Sequence, residues 1–283
     1  MPATDRYLNL PTGIRAHYLE WPGDSAAPPL VLAHATGFLA RLWEPVAEHL
    51  SGRTVYAPDT RGHGDSDKPP PASSTYHWAR LVGDLRAFLD ALGLEGAHFA
   101  GHSAGGSTGL YLAAHEPRYL SRLVLIEPIV MPGGFEIDES RRNEMAEGAR
   151  RRRAVFASVA EMIEQYRSRP LFDRWPDDVL RLYCEHGTFV REDGQVQLKC
   201  SGDVEGAVFA NSGSLKIWDV LPDVTAPTLV LRGEHAEAFT AMAAEAVANR
   251  LPDARLVDIP DAGHLAPMER PKTVAALIRE FLA

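Results

Sequence analysis

The sequence predicts an α/β architecture, a mostly parallel sheet flanked by helices, on three observations. Short apolar, β-rich runs recur from one end of the chain to the other. Amphipathic helical patterns lie between most of them. Several of the runs are nearly continuous in apolar residues, as expected where helices cover both faces of a parallel sheet.

In chain order the runs are "IRAHYLEW" (Ile14 to Trp21), "LVLAHA" (Leu30 to Ala35), "TVYAPD" (Thr54 to Asp59), "AHFAGH" (Ala97 to His102), "RLVLIEP" (Arg122 to Pro128), "TLVLRG" (Thr228 to Gly233) and "RLVDIPD" (Arg255 to Asp261). The first alternates more than the others, which suits an antiparallel strand near an edge. "YHWARLVGDLRAFLDAL" places Trp78, Leu81, Val82, Leu85, Phe88, Leu89 and Leu92 on one face, with Gly93 as a stop, and so predicts a helix packed on the sheet. The β/α rhythm breaks after Pro128 and returns at Thr228. The intervening stretch is rich in helical patterns, Trp, Phe and Arg, so residues 131–217 are expected to form an inserted cap on a core of residues 1–130 and 218–283. Within it "TFVREDGQVQL" carries the Asp193-Gly194 turn signal of a short hairpin.

A chain of 283 residues, 45% hydrophobic and 24% charged, is long enough to bury a sizeable core. The net charge of −9, with acids and bases interspersed, argues against a nucleic-acid partner and favours a small uncharged or cationic ligand. Only Cys184 and Cys200 are present, which suggests buried apolar filler rather than a disulfide framework. Neither a secretory signal pattern nor an apolar run of membrane-spanning length is seen, and a cytoplasmic location with no membrane partner is the expectation. The arginine run Arg150 to Arg153 reads as a solvated helix surface. Histidines are scattered without dense ligand spacing, so no metal or cofactor is expected.

The chemistry concentrates in three stretches. "FAGHSAGG" holds Gly101-His102-Ser103-Ala104-Gly105, a G-x-S-x-G sequence between an expected strand and an expected helix. A nucleophile on a tight strand-to-helix turn needs small residues two positions either side, and Ser103 is the candidate. The Ala104 amide, at the start of that helix, points to where an oxyanion would form. "IPDAGHLAPMERP" puts His264 in a loop after the last strand, where α/β sheets present reactive groups, and makes it the candidate base. "LAHATGFLARLW" offers loop amides for a second oxyanion donor.

Together, His34-Ala35-Thr36-Gly37, "DTRGHGDSDKP" (Asp59 to Pro69), Gly101 to Gly105 and "AGHLAPMERP" resemble, in this order and over essentially the whole chain, the α/β-hydrolase fold superfamily, and in particular its capped serine hydrolases. The resemblance implies an eight-stranded, mostly parallel sheet with a mainly helical cap after the sixth strand. Asp59, Arg61, Gly62, Gly64 and Ser66 match a structural loop of that family. The usual oxyanion motif begins His-Gly; Ala35 takes the glycine position here, and the pattern puts the donor amide on Thr36, with Phe38 as the other choice. A serine nucleophile, in place of the aspartate of dehalogenases and epoxide hydrolases, implies acyl transfer.

The same resemblance leaves the third member of the triad open. Its acid commonly follows the strand that ends at Gly233 by three or four residues, which selects Glu237, since Ala236 cannot serve. A minority of the family place it after the preceding strand, where this chain has Glu127. Glu234, Asp258 and Asp261 are the remaining carboxylates nearby. The cap aromatics Phe135, Phe156, Tyr166, Phe172, Trp175, Tyr183 and Phe189 read mainly as cap core, and Arg141 and Arg142 with the Arg150 run could select a carboxylate. The expected activity is carboxylesterase-like hydrolysis of a small, moderately hydrophobic ester. C–C bond hydrolases, cofactor-free perhydrolases and small-molecule receptors share the same framework.

Overall fold

The computed structural model describes residues 2–24, 26–72, 74–133 and 139–283. In chain order its strands are β1 (Thr4–Asn9), β2 (Arg15–Trp21), β3 (Leu30–Ala33), β4 (Val55–Pro58), β5 (Ala97–His102), β6 (Leu120–Ile126), β7 (Val155–Phe156), β8 (Thr188–Val190), β9 (Val196–Leu198), β10 (Thr228–Gly233) and β11 (Ala254–Ile259). Eight of them form one sheet in the order β1-β2-β4-β3-β5-β6-β10-β11. β2 runs antiparallel to both β1 and β4, and the remaining pairings are parallel. The edge strand β1 was not among the runs read from the sequence. Its residues are nearly all exposed, so its chain carries no alternation, and it is a strand because β2 offers it a ladder.

Both sheet faces are covered. The helix Trp78–Leu92 lies where its apolar spacing predicts; His77 caps its start by accepting the Ala79 amide at 3.2 Å, and Gly93 ends it. Its buried Trp78, Leu81, Leu85, Phe88 and Leu89 join the helix Ala104–His115 on one face. The opposite face is closed by Trp43, Val46 and the C-terminal helix Pro271–Phe281, which buries Val274, Ala275 and Ile278. Complete burial of a Val or Ile is worth about 1.5–3 kcal/mol, so this one helix contributes several kcal/mol.

Between β6 and β10 the chain forms the helices Glu139–Arg150, Val159–Arg167, Asp177–His186 and Gly202–Ala210 and a small antiparallel sheet, β7-β9-β8, built on the expected hairpin. Phe156, Tyr166, Phe172, Trp175 and Tyr183 are buried together, as a cap core. Phe189 is exposed, and Phe135 lies outside the described residues. The Arg150 run departs from expectation: its helix ends at Arg150, and Arg152 turns inward to pair with Glu205 at 2.8 Å. Both cysteines are buried, and burial pushes each thiol up to about 12. Among the described residues no helix is long and apolar enough to cross a membrane.

Candidate active site

Ser103 stands at the junction of β5 and the helix Ala104–His115 with φ 52° and ψ −121°, a strained conformation that a tight strand-to-helix turn imposes. The turn is possible because the residues two positions either side lack side chains: a Cβ on Gly105 would come within 2.5 Å of the Ala33 carbonyl, and one on Gly101 within 2.6 Å of Gly106 backbone. The Ser103 amide is tied to the end of β6 through the Ile126 carbonyl, at 2.9 Å.

The hydroxyl of Ser103 lies 3.2 Å from Nε2 of His264. Nδ1 of that ring lies 3.3 Å from Oε2 of Glu127, whose side chain is fully buried. Both distances are long for hydrogen bonds to groups that become charged, as is common before substrate tightens such contacts. Glu127 adopts φ 49° at the end of β6. Its amide donates to Leu231 at 2.9 Å, and its Oε1 accepts the Gly233 amide at 2.7 Å, so the carboxylate is built into the ends of two neighbouring strands.

Glu237, the first choice from the sequence, is not brought to His264. It precedes the helix Ala238–Arg250 with its side chain 76% exposed, and pairs with Arg141 at 3.2 Å. The physical reason lies in the turn after β10. Glu234 and His235 donate their amides to Ile259 and Ala262, and the chain then enters the helix Ala238–Arg250 with the Glu237 carboxylate turned to Arg141. The other nearby carboxylates are engaged elsewhere: Glu234 accepts the Asp261 amide, and Asp258 binds Arg232 at 2.7 Å.

Two residues not singled out in the sequence hold the His264 loop. His102, inside the G-x-S-x-G stretch itself, donates from Nε2 to the His264 carbonyl at 2.7 Å. Burial first, and then the neighbouring His264, hold its pKa down at about 3, so it is a neutral donor throughout the working range. Glu269 accepts the Gly263 amide at 2.6 Å, just before His264. The signal for both was proximity in sequence to the motif residues; their contacts depend on the fold.

On the oxyanion side, the Ala35 carbonyl is held by the Phe38 amide at 3.2 Å and by Nδ1 of His34 at 2.8 Å. A trans peptide directs its N–H opposite its carbonyl, and the described chain has no cis bonds, so fixing this carbonyl fixes the direction of the Thr36 N–H. The Phe38 amide is thereby committed to the turn. Thr36 and Ala104 share the wall of a cavity of about 50 Å³ whose other sides include Leu81, Leu85, Phe88 and Val208. The loop beneath matches its expected structural role. Asp59 accepts the amides of Ala40 (2.6 Å) and Asp65 (2.9 Å) and binds Nδ1 of His17 (2.7 Å). Burial opposes its charge, but His17 and these donors pull its pKa down to about 2. Arg61 is clamped by Asp84 through two contacts of 2.6 and 2.7 Å.

Two groupings of the described residues have metal-ligand types close together, His17-Asp59-Asp65 and the exposed Glu234-His235-Asp261. In the first, both nitrogens of His17 are already bound, to Asp59 and to Asp5.

Sheet and constellation together define a class, the α/β proteins that set a side chain on a strained elbow where a parallel strand meets a helix. The family model of the alpha/beta hydrolase fold matches residues 28–271, and the chain belongs to that family. It is 26% identical to a 2-(acetamidomethylene)succinate hydrolase of Mesorhizobium japonicum over 99% of this chain and 97% of that one. It is 30% identical to a lipase of Mycobacterium tuberculosis, covering 92% of this chain and 95% of that one. The crystal structure of an E-2-(acetamidomethylene)succinate hydrolase superposes with a TM-score of 0.85 at 22% identity, covering 99% of each chain, and so shares the fold.

Proposed function

We propose that the protein is a serine hydrolase that cleaves small, moderately hydrophobic carboxylic esters through an acyl-enzyme, with residues 131–217 as a cap over a core of residues 1–130 and 218–283. The observation that carries this reading is the line from Ser103 Oγ through the His264 ring to the buried carboxylate of Glu127. In the first half-reaction, Ser103 attacks the ester carbonyl while Nε2 of His264 takes its proton. Glu127, accepting from Nδ1, fixes the tautomer and stabilises the imidazolium. The negative oxygen of the tetrahedral intermediate sits between the amides of Thr36 and Ala104, and one such donor is worth roughly 10²–10³ in kcat. Collapse returns the proton from His264 to the departing alcohol. Water then repeats the sequence on the acyl-enzyme, releasing the acid and restoring Ser103.

A small-molecule ester partner in a cytoplasmic setting, with no cofactor, is part of this proposal. Chromogenic esters from acetate to octanoate, with one ring-cleavage diketone added, test it on the wild type and Ser103→Ala. Ester turnover that Ser103→Ala abolishes supports the reading. Turnover of the diketone alone would replace it with C–C hydrolysis. Absence of any turnover together with ligand-dependent thermal stabilisation would point to a receptor.

A further inference from the structure

The loop that carries the Thr36 amide is gripped at the next residue from two sides. The N–H of Gly37 donates to Nε2 of His63 at 3.0 Å, and the carbonyl of Gly37 accepts from the hydroxyl of Tyr183 at 3.3 Å. His63 belongs to the core loop after β4, and Tyr183 to the cap helix Asp177–His186. We infer that His63 and Tyr183 are positioning residues for the oxyanion hole, which lock the Gly37 peptides from below and above and make the cap part of the catalytic geometry. This rests on the serine-hydrolase reading, and on Thr36 as a donor within it.

Each contact is built to work in one direction. Nδ1 of the buried His63 donates to the Arg61 carbonyl at 3.0 Å, which leaves Nε2 as the acceptor that the Gly37 amide needs. Burial, and next the neighbouring His34, hold the pKa of His63 down at about 3, so the ring stays neutral while His264 does its work. Arg61 in turn is fixed by Asp84 and by the Thr75 carbonyl at 3.0 Å, and the clamp is anchored in the helix Trp78–Leu92. On the cap side, burial pushes the Tyr183 hydroxyl well above its usual range, so it remains a donor.

The residue between the jaws is a glycine for a physical reason. Gly37 has φ +83°, and a Cβ there would collide with the carboxylate of Glu205, which the Arg152 guanidinium holds at 2.8 Å. Two cap groups, Tyr183 and Glu205, therefore press on the same loop residue from above. Such a clamp matters because a donor amide displaced by about 1 Å loses about 10²-fold in rate.

The test uses the intact chain and three substitutions, His63→Leu, His63→Gln and Tyr183→Phe. It reads kcat and KM for the ester, the second-order rate of phosphonylation by a fluorophosphonate, whose P=O oxygen occupies the oxyanion position, and Tm. His63→Leu removes the acceptor and is expected to lower kcat and phosphonylation in parallel by about 10- to 100-fold with KM within about 2-fold. His63→Gln, which returns an oxygen near the Nε2 position, is expected to recover most of that loss. Tyr183→Phe, which deletes one oxygen, is expected to cost about 2- to 10-fold. Because both residues hold the two peptides that meet at Gly37, the double variant should lose less than the product of the single effects. If His63→Leu does not fold, Tyr183→Phe decides alone. Folded variants with wild-type kcat and phosphonylation, whatever their Tm, overturn the inference. A wild type that forms no fluorophosphonate adduct overturns the serine-hydrolase reading, and this inference with it.

Discussion

Replacing Glu127 by Gln isolates one oxygen. The substitution keeps the side-chain volume in a site with no exposure, and Oε1 can still accept the Gly233 amide, now 2.7 Å away. What changes is the group 3.3 Å from Nδ1 of His264, where an N–H₂ donor would replace a carboxylate oxygen. Two donors then face each other. The imidazole must either rotate or move its proton to Nε2, and an Nε2 that carries a proton cannot take one from Ser103. The charge that stabilises the imidazolium is lost as well. Amide-for-carboxylate replacement at such a position lowers kcat by about 10⁴, or about 5 kcal/mol in the barrier. Glu237→Gln is the matched control: its carboxylate is exposed and pairs with Arg141, so the expected loss is less than 2-fold, as for surface ion pairs generally. Initial-rate kinetics on one activated ester, with Tm for both variants, measures the pair. A Glu127→Gln enzyme within about 10-fold of wild type, or a Glu237→Gln enzyme that loses 10³, refutes the assignment.

Acid should destabilise the protein well above the carboxylate range. His63 and His102 stay neutral in the fold down to about 3, whereas in the unfolded chain they take protons below about 6.5, so stability falls as pH drops through that window. At about pH 5 the two together remove about 4 kcal/mol relative to neutral pH. His17 acts in the opposite sense: burial opposes its charge, but Asp59 and Asp5 raise its pKa, so its contribution is full in acid and lost as pH rises through the folded value. Urea melts between about pH 8 and 5 check the sum, and constant stability over that range would contradict it. Gly37→Ala should cost about 1–3 kcal/mol in stability and lower kcat, because the methyl meets Glu205 at positive φ; a neutral result by urea melt and initial rates would remove that contact from the account. Cys184 and Cys200 should react with a thiol reagent only at the rate of unfolding, since burial holds both thiols up at about 12; fast labelling of the native protein would contradict this.

What the sequence made legible follows from where the information sits. The helix Trp78–Leu92 is written in its own spacing and stop signal, and the buried central strands are written in their apolar runs. The edge strand β1 is not, because "TDRYLN" is exposed on nearly all positions and becomes a strand only through its partner. The inward turn of Arg152 was hidden for a related reason: a charge run reads as a solvated face unless an acid elsewhere, here Glu205, is known to lie opposite. Ser103 and His264 each sit in a stretch whose local chemistry marks it, and the fold places the two side chains in contact.

The carboxylate behind His264 was open because two positions compete for one slot. β6 and β10 are parallel neighbours, with Ile126, the last residue of β6, opposite Leu231, and β10 runs on to Gly233, so the two strands end beside each other. Either strand end has the reach to deliver an acid to Nδ1. The difference is made by backbone that no local pattern encodes. After Ile126 the chain takes one positive-φ step, which turns the Glu127 side chain across the end of β10 until Oε1 meets the Gly233 amide. After Gly233 the chain is instead drawn to β11 by the Glu234 and His235 amides, and Glu237 arrives in solvent. The hydrogen bond from Gly233 to Glu127 links the two outcomes: the amide of the last β10 residue is used to hold the acid of its neighbour. Loss of that acid would therefore not be made good by Glu237 from its present position.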